Sequence, residues 1–161
     1  MESGAAFRGL AMPSFMDNLL RQADSIGQHG MFFGPSDPAK KAPTTATRDM
    51  GAVAARLLAD PDWTGQEELP VLGPEDLSMD DMAAIVSDVL GREVRYQQVP
   101  FDAFKAQLLG GGVSGSFAQG YVDMMRAKDE GMDIVAERKA EARTPTSFRE
   151  WCETELKPVV G

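Results

Sequence analysis

This 161-residue chain has one histidine and one cysteine, and the spacing of its 25 acidic residues predicts no acid–base pair. His29 is the sole histidine, so a Ser-His-Asp triad would have to use it. Its place near the expected end of a helix favours a contact with the helix dipole instead. Cys152 is the sole cysteine, which excludes an intrachain disulfide and a cysteine-rich zinc site. We therefore predict no metal site and a packing role for Cys152.

Dinucleotide binding is the second chemistry to consider, and the sequence lacks the turn that it needs. A doubly wound sheet holds a pyrophosphate with a Gly-x-Gly-x-x-Gly turn between a strand and a helix. The dense glycine cluster at 110–112 follows an expected helix and fits a flexible connection. Neither Tyr96 nor Tyr121 has a lysine four residues later, so a Tyr-x-x-x-Lys pair is absent too. We predict that the chain by itself holds no NAD(H) or NADP(H) cofactor.

Composition and charge exclude further classes of function. The formal net charge is −9 and 43% of the residues are hydrophobic. Nucleic acids and anionic membranes attract clustered Lys and Arg, so neither is an expected partner. No apolar run approaches the roughly 20 residues that cross a bilayer, and residues 1–11 do not resemble a signal peptide. A cytoplasmic protein with one domain spanning 1–161 is expected.

The elements expected in the first half alternate between short strands and helices. An apolar, buried strand is expected at 5–12, and Ser14 is the expected cap of the helix that follows it. A second strand is expected at 31–33, and the Pro-, Lys- and Thr-rich stretch 35–47 predicts a surface loop. Asp49 is the expected N-cap of the next helix.

Capping signals in the second half are sharper. Ser78 with Asp81 predicts a capping box, and Gly91 is placed for a left-handed helix end. Strands are expected at 66–72 and 94–99. One helix is expected around Phe101, Phe104 and Leu108, and another follows the glycine cluster and carries Phe117, Tyr121 and Met124. Ser147 with Glu150 predicts a capping box for the last helix. The predicted fold class is α/β, in the form of a helix-rich α+β arrangement.

Four stretches of the chain carry a resemblance to a known family: 13–20 (PSFMDNLL), 48–51 (RDMG), 73–78 (GPEDLS) and 90–94 (LGREV). They resemble the C-terminal half of NmrA-like proteins, a branch of the atypical short-chain dehydrogenases/reductases. The resemblance implies a truncated C-terminal region with short strands and no complete Rossmann domain. In such proteins the preceding half holds the cofactor, and the part resembled here shapes the substrate pocket.

The same resemblance implies a location for the ligand. The pocket is expected to be lined by mostly apolar residues, with a few polar groups to orient a small apolar molecule: Phe15, Met16, Asn18, Phe32, Phe33, Phe117 and Met124. Tyr121 and Asp17 are the candidates for proton transfer. The chain departs from the family pattern at Met12, where an arginine is usual, and it has one aromatic where two are usual. This departure weakens the expectation of hydride transfer.

Several functions remain open on this basis. The first is a stand-alone, non-redox protein that binds a small, largely apolar molecule, with cofactor-free cyclisation, isomerisation or dehydration as its catalytic version. The alternatives are one subunit of a split NAD(P)-dependent reductase completed by a separate nucleotide-binding chain, a non-catalytic regulatory or interaction module, and an excised fragment of a reductase. The strand at 5–12 would expose unpaired backbone groups, so a homodimer is the expected assembly.

Overall fold

The computed structural model describes residues 4–60, 62–134, 138–139 and 142–160. The strands are β1 (Phe7–Ala11), β2 (Ser14–Phe15), β3 (Met31–Gly34), β4 (Ala42–Thr45), β5 (Gln66–Pro70), β6 (Asp76–Leu77) and β7 (Arg95–Gln98). The helices are α1 (Ala23–His29), α2 (Thr47–Ala59), α3 (Met79–Leu90), α4 (Phe101–Gly110), α5 (Gly115–Asp129), α6 (Phe148–Trp151) and α7 (Lys157–Val160). A 3-10 segment, Met16–Gln22, leads into α1, and a π-helical segment, Cys152–Leu156, joins α6 to α7. The predicted α/β class with short strands is confirmed.

The strands form small sheets in which parallel pairs predominate. β1 pairs with β5, β3 with β7 and β2 with β4, all in parallel, while β6 adds to β4 in the antiparallel direction. Parallel neighbours end at the same edge, so β1 and β5 place their carboxyl ends side by side. No helix among the described residues is long and apolar enough to cross a membrane.

β1 is shorter and more exposed than the buried strand expected at 5–12. Phe7 is 57% exposed, and Met12, just beyond the strand, is 42% exposed. Among the described residues β5 is the sole strand paired with β1, so the other backbone edge of β1 carries no ladder. The prediction of burial failed because apolar residue type alone does not say whether both faces of a strand are covered.

The sequence predicted a surface loop over the whole of 35–47, but β4 occupies the second half of this stretch. Pro43, Thr44 and Thr45 are buried between β2 and β6. Ser14 also differs from expectation: it lies in β2, where its carbonyl accepts a hydrogen bond from Thr44 Oγ1 at 2.9 Å. The helical segment at Met16 therefore begins without a side-chain cap.

Helix ends marked by strong local signals lie where the sequence predicts. Ser78 Oγ accepts from the Asp81 N–H while the Asp81 carboxylate accepts from the Ser78 N–H, which completes the capping box. Gly91 ends α3 at φ 66°, a left-handed conformation that glycine adopts without strain. Ser147 caps α6 through the Glu150 N–H, although the Glu150 carboxylate pairs with Arg48 instead of closing a box.

The main core packs α3 and the last helical segments against the 3-10 segment and β3. Phe148 and Trp151 are fully buried in it, with ring centroids 5.7 Å apart. Cys152 lies in the same core, as expected for a packing residue. Its burial raises the pKa of the thiol to about 12, since a thiolate loses its hydration there.

The N-terminus of α2 is tied to the C-terminal part of the chain. Asp49 was predicted to be the N-cap, but Ala46 takes that position and Asp49 lies inside the first turn. Its buried carboxylate accepts from both the N–H and the Oγ1 of Thr146, each at 2.9 Å. Arg48 donates to Thr146 Oγ1 and pairs with Glu150 at 2.7 Å. The Asp49 carboxylate thus accepts hydrogen bonds from a distant loop and does not cap its own helix.

The Asp49 contact gives a first testable expectation. Asp49→Asn should lower the free energy of unfolding by about 1.5–3 kcal/mol, because one of the two acceptor oxygens becomes an NH2 group and a buried Thr146 hydrogen loses its acceptor. The matched control is Asp88→Asn, which disturbs an exposed ion pair with Arg149 and should lose no more than about 0.5 kcal/mol. Urea unfolding measures both, and equal losses would contradict the importance given to Asp49.

Cys152 gives a second expectation, on reactivity. At pH 8 a thiol with a pKa of about 12 is ionised in only about 1 in 10,000 molecules, and the thiolate is the reactive form. Native protein at pH 8 should therefore resist iodoacetamide, while protein in urea should be alkylated fully. Mass spectrometry measures the fraction modified. Rapid labelling of the folded chain would show that Cys152 is neither buried nor perturbed in this way.

Candidate functional site

The carboxyl ends of β1 and β5 form the candidate site. Ala11 and Pro70 are paired at the end of the two strands, and the Val71 N–H extends the ladder by donating to the Ala11 carbonyl at 2.9 Å. In open α/β sheets ligands bind beyond the carboxyl ends of the strands, where loops diverge and leave room. The segments that follow β1 and β5 are therefore the first place to look for a site.

A close approach of backbone holds these two loops together. A Cβ on Gly73 would lie 1.8 Å from the Thr44 carbonyl oxygen, so no other residue fits without moving the chain. Thr44 in turn bonds Ser14, just after β1. The loop after β5 and the start of β2 are thereby held on either side of β4.

A partly open cavity of about 410 Å³ lies beside the loop after β5. Its apolar walls include Pro70, Leu72, Pro74 and Pro145. Its charged lining residues are all cations: Arg138, Lys139 and Arg143. The volume is within the range of small-molecule sites, about 300–1,000 Å³.

Residues 138–139 and 142–145 line the cavity wall, and hydrogen bonds tie them to the loop after β5. Arg138 Nε donates to the Gly73 carbonyl at 2.6 Å, and its guanidinium pairs with Asp76. Thr144 Oγ1 donates to the Leu72 carbonyl. These bonds satisfy carbonyl groups beyond the end of the strand, so the cavity is a built part of the fold.

The carboxylate of Asp17, a predicted proton-transfer residue, is hydrogen-bonded to the first residue of helix α2. Its two carboxylate oxygens accept from the Thr47 N–H at 3.0 Å and the Thr47 Oγ1 at 2.8 Å. Thr47 is the first residue of α2, whose N-cap provides no side-chain bond. Asp17 therefore satisfies an N–H group at the start of α2 and interacts favourably with the helix dipole.

Tyr121, the other predicted proton-transfer residue, lies in an aromatic group between α4 and α5. Its ring is 5.8 Å from Phe104 and 6.1 Å from Phe117, measured between centroids. Phe117 is 56% exposed and Met124, one turn beyond Tyr121, is 37% exposed. Three of the predicted site residues are therefore on one helix, α5, with partly exposed apolar surface.

The remaining predicted residues divide between core and surface. Met16 and Phe32 are buried in the main core. Phe33 is half-buried, and its backbone exchanges two hydrogen bonds with the Gln22 side chain. Phe15 and Asn18 are exposed after β1. Among the described residues no hydrogen bond or ring contact joins this group to Tyr121, so the structure holds two separate clusters.

Sequence reasoning missed the interactions that hold the site together. Arg48 and Asp49 were noted for their resemblance and a capping role, yet their partners lie about 100 residues further along the chain. No role was predicted for the cations around the cavity. Their one signal was unusual crowding, with Arg138, Lys139 and Arg143 within a few residues of each other in an acidic chain.

The two tyrosines differ in their surroundings. Burial raises the pKa of Tyr96 above its usual range, and its hydroxyl donates to the Ser36 carbonyl at 2.9 Å. This bond fixes Tyr96 between β7 and the loop after β3, with its ring 5.3 Å from Phe32. Tyr96 is therefore a packing residue with a satisfied hydroxyl, and Tyr121 is the tyrosine near exposed surface. In the described residues no group of histidine, cysteine and carboxylate side chains could hold a metal ion.

Comparison with known proteins finds oxidoreductases among the relatives. The chain is 37% identical to an NAD(P)H azoreductase of Xenophilus azovorans over 117 residues, which cover 73% of this chain and 40% of that protein. It is 27% identical to quinone oxidoreductase 2 of Escherichia coli over 130 residues, or 81% of this chain and 43% of that protein. The chain thus spans less than half the length of these curated relatives.

A solved structure of another protein has the same fold as this chain. An NADPH-dependent quinone oxidoreductase from Escherichia coli, in complex with NADPH, superposes with a TM-score of 0.74 at 22% identity, covering 92% of this chain and 53% of that one. Identity this low shows the fold alone.

These findings correct the main functional prediction. A stand-alone, non-redox protein was expected, but both curated relatives are named as oxidoreductases, which favours the reductase alternative. The prediction failed because the lack of a glycine-rich turn in these 161 residues does not exclude a nucleotide-binding unit elsewhere.

The family expectation, by contrast, is confirmed. The model of the NmrA-like family matches residues 3–152, and the chain belongs to that family.

Proposed function

We propose that this chain is the acceptor side of an NAD(P)H-dependent oxidoreductase that reduces planar, conjugated compounds such as quinones or azo compounds. The observation that carries the proposal is the 37% identity to an NAD(P)H azoreductase over 73% of the chain. The location of the candidate site supports it, because β1 and β5 end together at the edge where nucleotide-binding folds place their ligands.

The open edge of β1 gives the coenzyme-binding part a place to dock. Its N–H and C=O groups on the side away from β5 form no ladder within the described residues, and such an edge accepts a further strand. We propose that a nucleotide-binding unit, in the same polypeptide or a separate one, adds its sheet there and holds the pyrophosphate. The homodimer expected from the sequence would cover the same edge with a second copy, so size measurement separates the two arrangements.

The chain itself would bind and orient the acceptor. When bound, the coenzyme supplies the hydride. The proposed acceptor surface is the aromatic group on α5, whose exposed rings suit a flat apolar ligand. Tyr121 has a hydroxyl beside this surface, and we assign to it the proton that accompanies the hydride. Asp17 is given a positioning role because both its oxygens accept from Thr47.

The test follows loss of NADPH absorbance with a naphthoquinone and an azo compound as acceptors. The tagged chain is purified in the assembly in which it is produced, and turnover is expected where a nucleotide-binding unit is present. Tyr121→Phe should lower kcat by roughly 10²-fold, as for loss of a general acid, with KM little changed.

The matched control is Tyr96→Phe, which removes the other tyrosine hydroxyl and its bond to Ser36. It should reduce stability and leave kcat unchanged. An assembly that contains the nucleotide-binding unit and oxidises NADPH with neither acceptor would overturn the proposed function.

Asp17 is tested separately through stability and turnover together. Asp17→Ala should lower the free energy of unfolding by about 1–2 kcal/mol, because the Thr47 N–H loses its partner. Asp17→Asn keeps an acceptor oxygen and should lose less. In both variants kcat should stay within about twofold of the parent. A large loss of kcat in Asp17→Asn, with stability kept, would show instead that the carboxylate transfers a proton.

A further inference from the structure

The cavity beside the loop after β5 has a lining that the acceptor surface does not explain. Proline and leucine side chains form its apolar walls, and the charged residues that line it within the described part of the chain are all cations. The whole chain has 25 acidic and 16 basic residues, so a lining with cations alone runs against the composition. Surface charges more than about 10 Å apart are largely screened at ordinary ionic strength. The charges nearest the cavity, with their ion-pair partners, therefore determine which ligand charge it favours.

The three cations differ in what they already bind. Arg138 pairs with Asp76 and donates to Gly73, and Lys139 pairs with Glu67. Arg143 is different: among the described residues no carboxylate lies within ion-pair distance of its guanidinium. The first two contacts fix the walls of the cavity, and Arg143 is the cation that remains for a ligand.

The backbone that carries Arg143 is held from two sides. Its carbonyl accepts a hydrogen bond from the Arg56 guanidinium at 3.3 Å. The next residue, Thr144, is buried and donates to the Leu72 carbonyl. A long exposed side chain on a fixed backbone loses less freedom when it binds than one on a loose loop. A guanidinium also matches the planar geometry of a carboxylate, with parallel N–H donors.

We propose that this cavity binds a planar aromatic monoanion, a carboxylate or sulfonate, with its ring against the proline and leucine walls and its anionic group on Arg143. Apolar walls with few convergent polar groups are the usual composition of such a site. The inference goes beyond the proposed function, because this binding needs neither coenzyme nor turnover. A metabolite or the charged substituent of a redox acceptor would present the same chemistry.

The test compares two fluorescent probes of similar shape and different charge: anilinonaphthalene sulfonate, an anion, and N-phenyl-naphthylamine, which is neutral. Titration of the 161-residue chain should show tighter binding of the sulfonate, weakened by added salt. Arg143→Gln should weaken the sulfonate by roughly threefold to tenfold, the effect of one charge-assisted bond, and leave the neutral probe unchanged. Arg143→Lys should recover part of the loss.

Arg92→Gln is the control, since Arg92 is an exposed arginine remote from the cavity lining. It should leave both probes unchanged. Equal weakening by Arg92→Gln and Arg143→Gln, or no change in Arg143→Gln, would overturn the assignment of the cavity. None of these readings involves NADPH, so a failed reductase assay and a failed binding assay are distinguishable.

Discussion

The buried contact between Asp49 and Thr146 is the interaction on which the other parts of the structure depend. It joins the first turn of α2 to the segment before α6, nearly 100 residues further along the chain. A buried carboxylate without partners is strongly unfavourable, so Thr146 must occupy that place once α2 has formed. The neighbours of Asp49 extend the junction, because Thr47 bonds Asp17 and Arg48 pairs with Glu150. Three successive residues thereby connect the 3-10 segment, the start of α2 and α6.

That junction also determines the geometry of the candidate site. Thr144 lies two residues before Thr146, and its hydroxyl bonds the Leu72 carbonyl beyond the end of β5. Gly73 then packs against Thr44, a contact that admits no side chain. The walls of the cavity are thus set by backbone contacts between distant segments.

The fold could be predicted wherever the determining signal is local. Ser78 with Asp81 and Gly91 define α3 through bonds within a single turn, and the sequence is enough to find them. β4 was missed because its Pro43 and Thr44 become strand residues only between β2 and β6. Asp49 was misassigned for a similar reason, since an aspartate near a helix start can cap its own helix or bond a distant loop. The choice between these is made by tertiary structure.

The candidate site was predictable to a smaller extent, because apolar residue types do not reveal which side of a helix or strand is covered. Met16 and Phe32 were expected to line a pocket and are in the core, whereas Phe117 is exposed. Arg138 reaches Gly73 across 65 residues, a separation at which spacing in the sequence has no meaning.

The open edge of β1 makes the proposed redox function compatible with the lack of a nucleotide turn in these 161 residues. A strand edge is recognised through N–H and C=O groups, which every residue except proline offers, so docking there needs little sequence of its own. In the proposed function another unit binds the pyrophosphate, and the residues that select the acceptor belong to this chain, on the aromatic surface of α5. The absence of a glycine-rich turn is then compatible with the 37% identity to an azoreductase, because the aligned residues cover only 40% of that protein.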